Sequence, residues 1–132
     1  MSKENVELVR GFYDAYQSGD TDRALERLDP EFEFVDMPVL PGAGVYRGRQ
    51  GFLDWVTAFE ESFEDYRFEP IELIAEEDRV LAPTRVRAIG RGSGAEVEMT
   101  FFALWTVRDG AIVAQRAFSE RAEAFAAAGI EP

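Results

Sequence analysis

The chain contains no Cys and no His. Disulfides, thiol nucleophiles, Cys-based metal sites and imidazole bases are therefore excluded, and a Ser-His-Asp triad with them. Acid–base chemistry falls to Asp, Glu, Tyr, Lys or bound water. Among the acids, Asp36 stands apart, because Val35 and Met37 flank it and a Pro/Gly-rich stretch follows. A carboxylate among apolar groups has its charged form disfavoured, so its pKa rises toward values useful for moving a proton beside a carbonyl. The competing reading is an Asp that caps the loop after its strand. The other acids are scattered without ligand spacing, so neither a metal nor a cofactor is expected.

The second chemical resource is aromatic: 13% of the residues, including 11 Phe. Phe34, Tyr46, Trp55, Phe59, Met99 and Phe101 form a set suited to line a site for a flat apolar ligand. Rings at helical spacing equally build a dense core. Arg85 and Arg87 share one strand face, as do Glu96 and Glu98 on the next, so the four can meet as cross-strand ion pairs on an outer face. The alternative turns Arg85 inward as an anchor for a substrate carboxylate or enolate. With the Arg/Glu face outward, Val97, Met99, Phe101, Ala103 and Trp105 point inward. A three-residue hairpin loop at 108–110 then sets Gln115 opposite Ala103, as a polar group facing the same interior.

The elements that position these residues follow from periodicity. Helical spacing runs over 3–18, with Val6, Val9, Tyr13 and Tyr16 on its stripe, Ser2 as cap and Gly19 as stop. Asp20 caps a second helix through Leu28, which Asp29-Pro30 ends. Alternation over 31–36 predicts a strand, and Pro38, Pro41, Gly42 and Gly44 predict an irregular loop through 47. A third helix is expected at about 48–64, with Phe52, Trp55, Val56, Phe59 and Phe63 as its apolar face. Strands follow at 66–76, 79–90, 95–107 and 111–118, then an Ala-rich helix over 119–128 closed by Gly129. Helices followed by an antiparallel meander define an α+β fold, and residues 1–132 fit one domain.

Three segments carry a resemblance: the first helix ending in Ser18-Gly19-Asp20, then Leu28-Asp29-Pro30-Glu31-Phe32-Glu33-Phe34, and Tyr46-Arg47-Gly48-Arg49-Gln50-Gly51-Phe52. The ending from Phe102 to Val113 adds a fourth. Together they resemble the SnoaL-like (polyketide-cyclase-like) branch of the nuclear transport factor 2-like superfamily. That resemblance implies a cone-shaped α+β barrel, with helices on a curved, mostly antiparallel sheet, a pocket at the wide end, and homodimers through the outer sheet face. It adds Phe12, Tyr16 and Ala103 to the expected lining. In the loosely similar ketosteroid isomerases the general-base Asp falls at Asp36. Their oxyanion donors would fall at Phe12 and Ala103, which have no proton to give, and one such donor is worth about 3 kcal/mol. Limonene-epoxide-hydrolase-like chemistry aligns an Arg with Arg85 but finds Arg87 and Ala117 where it needs carboxylates, so it fails.

Lys and Arg number 14 against 26 Asp and Glu, a formal net charge of −12. This repels phosphate backbones and anionic lipid, so neither nucleic acid nor membrane is an expected partner. No long apolar run or leader-like start is present, and a cytoplasmic location is the default expectation. The reading is a binder of a small apolar or polycyclic molecule. If catalytic, it is a cofactor-free isomerase, cyclase or dehydratase using Asp36 on a carbonyl substrate. The alternative is a non-catalytic ligand-binding or dimeric assembly module.

Overall fold

The computed structural model describes residues 2–37 and 44–131. The predicted loop positions Pro38, Pro41 and Gly42 lie outside the described residues. The elements are α1 (Ser2–Gln17), α2 (Thr21–Glu26), β1 (Leu28–Val35), β2 (Val45–Arg47), α3 (Gly48–Ser62), β3 (Phe63–Pro70), β4 (Ile74–Glu76), β5 (Arg79–Gly90), β6 (Glu96–Arg108), β7 (Ala111–Phe118) and α4 (Arg121–Ala128). The α+β expectation holds, with the sheet order β2-β1-β7-β6-β5-β3 and β4 beside β5. Only β1 and β7 run parallel among these pairs. The sheet does not close on itself; β2 and β3 lie at its edges, and α3, which joins them in sequence, packs against both.

Local chemistry explains the boundaries. α1 ends in a paired-carbonyl motif, Asp20 N–H to Ala15 O at 2.9 Å and Gly19 N–H to Tyr16 O at 3.1 Å, with Gly19 at φ 85°. The Asp20 carboxylate then accepts from Arg23 N–H at 3.1 Å and starts α2. Ser2 is the first residue of α1 itself, not a cap before it. α2 stops at Glu26, and Leu28, Asp29 and Pro30 belong to β1. The stop expected at Asp29-Pro30 is thus a strand, and Leu28 is fully buried as its first residue. Pro is tolerated there because β1 is irregular between Leu28 and Glu33, where its register with β7 shifts.

The strand expected over 66–76 is broken. Phe63 opens β3 and does not end α3, and residues 71–73 separate β3 from β4. The cause lies on the neighbouring strand. Pro70 pairs with Thr84 and Ile74 with Leu81, so Pro83 faces the gap. Pro83 accepts from Ile71 N–H at 2.7 Å but has no N–H to return, and the ladder cannot continue past it.

Two hydrophobic clusters divide the sheet's faces. The larger packs α1, α3 and the inner face, with Val9, Phe32, Val80 and Ile112 fully buried. The smaller places Phe125 of α4 on Leu81, Leu104 and Phe118, covering part of the outer face. No helix among the described residues is long and apolar enough to cross a membrane.

Candidate functional site

Between α1, α3 and the inner sheet face lies a cavity of about 270 Å³ walled mainly by aromatic side chains. Alternation along β1 turns Phe32 and Phe34 inward, and Asp36 continues that face just past the strand's end. Asp36 is 8% exposed and lines the cavity. Its Oδ1 accepts from Met37 N–H at 2.8 Å and its Oδ2 from Trp55 Nε1–H at 3.1 Å. Its own N–H donates to Gly44 O at 3.1 Å. Burial raises the Asp36 pKa above its ordinary value, while the Met37 and Trp55 N–H bonds oppose that rise without cancelling it. Among the described residues no Lys or Arg pairs with it.

Trp55 reaches Asp36 because β2 turns directly into α3. A Cβ on Gly51 would sit 2.9 Å from the Tyr46 backbone, so only glycine lets the helix cross its preceding strand this closely. Trp55 then stacks on Phe59 at 5.3 Å and meets Phe34 edge-on at 5.5 Å. Phe34 in turn stacks on Tyr46 at 6.1 Å. β2, expected as loop, is the short strand that carries Tyr46 against Phe34.

Phe12, Tyr16, Phe34, Asp36, Tyr46, Trp55, Phe59, Met99, Phe101 and Gln115 all line the cavity. Ala103 and Arg85 do not. Ala103 faces inward but is fully buried beneath the lining. Arg85 lies on the outer face, where its Nε and that of Arg87 approach Glu98 at 3.6 and 3.5 Å.

The hairpin differs from the expected one. Asp109 and Gly110, at φ 52° and 76°, form a two-residue turn, and the register slips again between Thr106 and Val107. Ala103 therefore pairs with Ala117, and Gln115 with Trp105. The two offsets together displace the register by an even number of residues, so Gln115 keeps its inward face.

Sequence reasoning left Tyr13, Phe52 and Phe68 out of the lining, where the structure places them, and Trp105, read as inward-facing, lines the cavity too. It also left out Val86 and Ala88, although outward Arg85 and Arg87 already imply that these two face in. Phe12 sits 5.2 Å from Trp105 and 5.5 Å from Phe52, ring against ring, and offers no hydrogen-bond donor. Among the described residues no group of three or more acidic side chains gathers as a metal site would.

A helix-covered, mostly antiparallel open sheet with one aromatic cavity is the architecture of nuclear transport factor 2-like proteins, and solved structures agree. An NTF2-like protein of unknown function from Burkholderia pseudomallei superposes with a TM-score of 0.78 at 19% identity, over 95% of this chain and 97% of its own. A putative SnoaL-like polyketide cyclase from Jannaschia sp. CCS1 gives 0.78 at 21% identity, over 99% and 95%. TerC, co-crystallised with polyporic acid, gives 0.78 at 21% identity, over 95% and 97%. No curated protein matches the sequence. Residues 9–115 match the SnoaL-like domain, and the chain belongs to that family.

Proposed function

We propose that the cavity binds one small, flat, ring-bearing apolar molecule, and that Asp36 moves a proton on it without a cofactor. The reaction would be an isomerisation, cyclisation or dehydration beside a carbonyl. The observation that carries this reading is the Asp36 carboxyl, held by two N–H donors in an aromatic wall with its pKa raised. A base of raised pKa is stronger than a free carboxylate, and its fixed position spares the reaction the cost of finding it. The co-crystallisation of TerC with polyporic acid supports a small molecule on this fold. Size narrows the choice: an apolar void of about 150 Å³ takes benzene. By that scale the 270 Å³ here suits one or two fused rings better than a large polycycle. A homodimer and a cytoplasmic location accompany the proposal, and light scattering of the purified protein tests the first.

The test needs no known substrate. In D2O, a general base of this kind exchanges the α-hydrogens of small cyclic ketones for deuterium, which NMR follows directly. The expected outcome is exchange above background that Asp36→Asn abolishes. Because Asp36 acts deprotonated, the rate should rise with pH through a midpoint above the ordinary carboxylate value of about 3.9. Linkage fixes the companion sign. The folded pKa exceeds the unfolded one, so Asp36 favours folding below the unfolded value, and that contribution fades as pH rises through the folded value. An Asp36 titration at or below the ordinary value removes the catalytic reading. A second reading, a non-catalytic binding or assembly module, draws on Phe12 and Ala103 standing where related isomerases hold their donors. Ligand binding without any Asp36-dependent exchange would select it.

A further inference from the structure

Four proton-bearing side chains of the cavity wall, Tyr13, Tyr16, Trp55 and Trp105, can be assigned one by one. Thr84 donates its hydroxyl proton to Ala82 O at 2.9 Å, so the 2.9 Å bond between Tyr13 and Thr84 must use the Tyr13 proton. Trp105 Nε1–H donates to the Tyr13 oxygen at 3.3 Å. Tyr66 donates to the Glu60 carboxylate at 2.7 Å, so Tyr16 must spend its proton on Tyr66, 2.5 Å away. Trp55 Nε1–H is held by Asp36. Gln115 differs from all four. It is 8% exposed, lines the cavity, and its carboxamide has no partner among the described residues. Its amide atoms are not among the fully buried ones left without a partner, so they are reachable from the cavity and open to a ligand.

Topology puts this amide beside Asp36. Gln115 lies across from Phe34 on the parallel strand, and Asp36 follows Phe34 by two residues on the same face. Strand spacings place their Cα atoms about 8 Å apart. Two side chains at that separation can hold the oxygen and the adjacent carbon of one carbonyl compound. Charge sets the class: the wall contains Asp36 and no Lys or Arg among its described members. A ligand carboxylate would meet a second carboxylate with no cation to offset either.

We propose that Gln115 donates the hydrogen bond that holds the oxygen of an uncharged ring ketone, making the cavity selective for neutral carbonyl ligands over carboxylates. This rests on the reading of the cavity given above. Asp36 takes a proton from the carbon beside the carbonyl; the C–H electron pair becomes the C=C bond of an enolate. The negative charge gathers on the oxygen held by the Gln115 N–H, and Asp36 returns the proton to carbon. No other reactant is consumed.

The probes are tetralin, 2-tetralone and 2-naphthoate, with tryptophan fluorescence as readout in wild type and Gln115→Leu. The expected result is 2-tetralone bound about tenfold more tightly than tetralin, with 2-naphthoate weaker than both. In Gln115→Leu the two neutral affinities should become equal, with tetralin unchanged. A second measurement on the wild type stands independently of how the variant folds. The Gln115 side-chain amide resonances should move downfield with 2-tetralone and stay in place with tetralin. A ketone preference surviving in Gln115→Leu, unmoved amide resonances, or tighter binding of 2-naphthoate overturns the inference while leaving the cavity reading intact. Failure of tetralin and 2-tetralone alike to bind wild type overturns both.

Discussion

Two polar groupings sit in the same aromatic wall and are built on opposite plans. In the Tyr13–Thr84–Trp105 grouping, each proton has an acceptor inside the protein and the chain ends on the Ala82 carbonyl. Burial pushes the Tyr13 phenol up to about 12, so it stays neutral and its bonds stay directed. At Asp36 and Gln115, the acid carries a raised pKa without a cation, and the amide has no partner, among the described residues. The closed grouping has nothing left to offer a ligand and serves the fold. The open one keeps hydrogen-bonding capacity unspent toward the cavity, and that unspent capacity marks a binding site.

Substitutions can break this contrast. The largest effect is expected at Trp105, which is 2% exposed and packs on Phe12 at 5.2 Å and Tyr13 at 5.6 Å. Trp105→Ala should cost about 3–5 kcal/mol in urea unfolding, as large-to-small core changes do. A loss below about 1 kcal/mol would mean this part of the wall is not core at all, and the contrast would vanish. Next comes Tyr13→Phe, which keeps the ring and deletes the hydroxyl. Thr84 still donates to Ala82, but the Trp105 N–H is stranded in a buried site, at about 1–3 kcal/mol. The informative outcome is the split: reduced unfolding stability with ring-ketone affinity retained. The reverse split would transfer Tyr13 to the ligand's side.

How far the sequence reaches into this arrangement depends on which physical signal each residue sends. Period-two alternation is local, so β5 and β7 were readable to the residue, and so was the inward set along β6. Asp36 was readable because an acid between Val35 and Met37 breaks that alternation's chemistry without breaking its parity. The β3/β4 break was not, since it originates in Pro83 on a strand that pairs only in the folded sheet. β2 was hidden for a similar reason: three residues are too few for a pattern, and their strand character comes from pairing with β1. The face of Gln115 was legible but its partner was not, because an Asp-Gly turn fixes parity only together with a bulge that has no sequence mark of its own. Least readable was the state of each hydroxyl proton. Whether Tyr13 or Tyr16 can serve a ligand depends on Thr84 and Tyr66, which lie 71 and 50 residues away along the chain.

The smallest expected effect tests the other face of the same strands. Arg85 and Arg87 both approach Glu98 at more than 3.4 Å, and the three side chains are roughly half exposed, at 43%, 57% and 58%. Solvent screens such pairs, and ordering long side chains offsets much of the Coulomb gain. Arg85→Ala should therefore change unfolding stability by no more than about 0.5 kcal/mol, less still at high salt. Ketone affinity should be untouched, since Arg85 does not line the cavity. That prediction discriminates because a guanidinium is the strongest anion anchor the sequence offers near this sheet. If Arg85→Ala instead weakened binding of a carboxylate probe, the cavity would have access to a cation from β5. The argument for neutral ligands would then fail at its premise, even with Gln115 and Asp36 placed as they are.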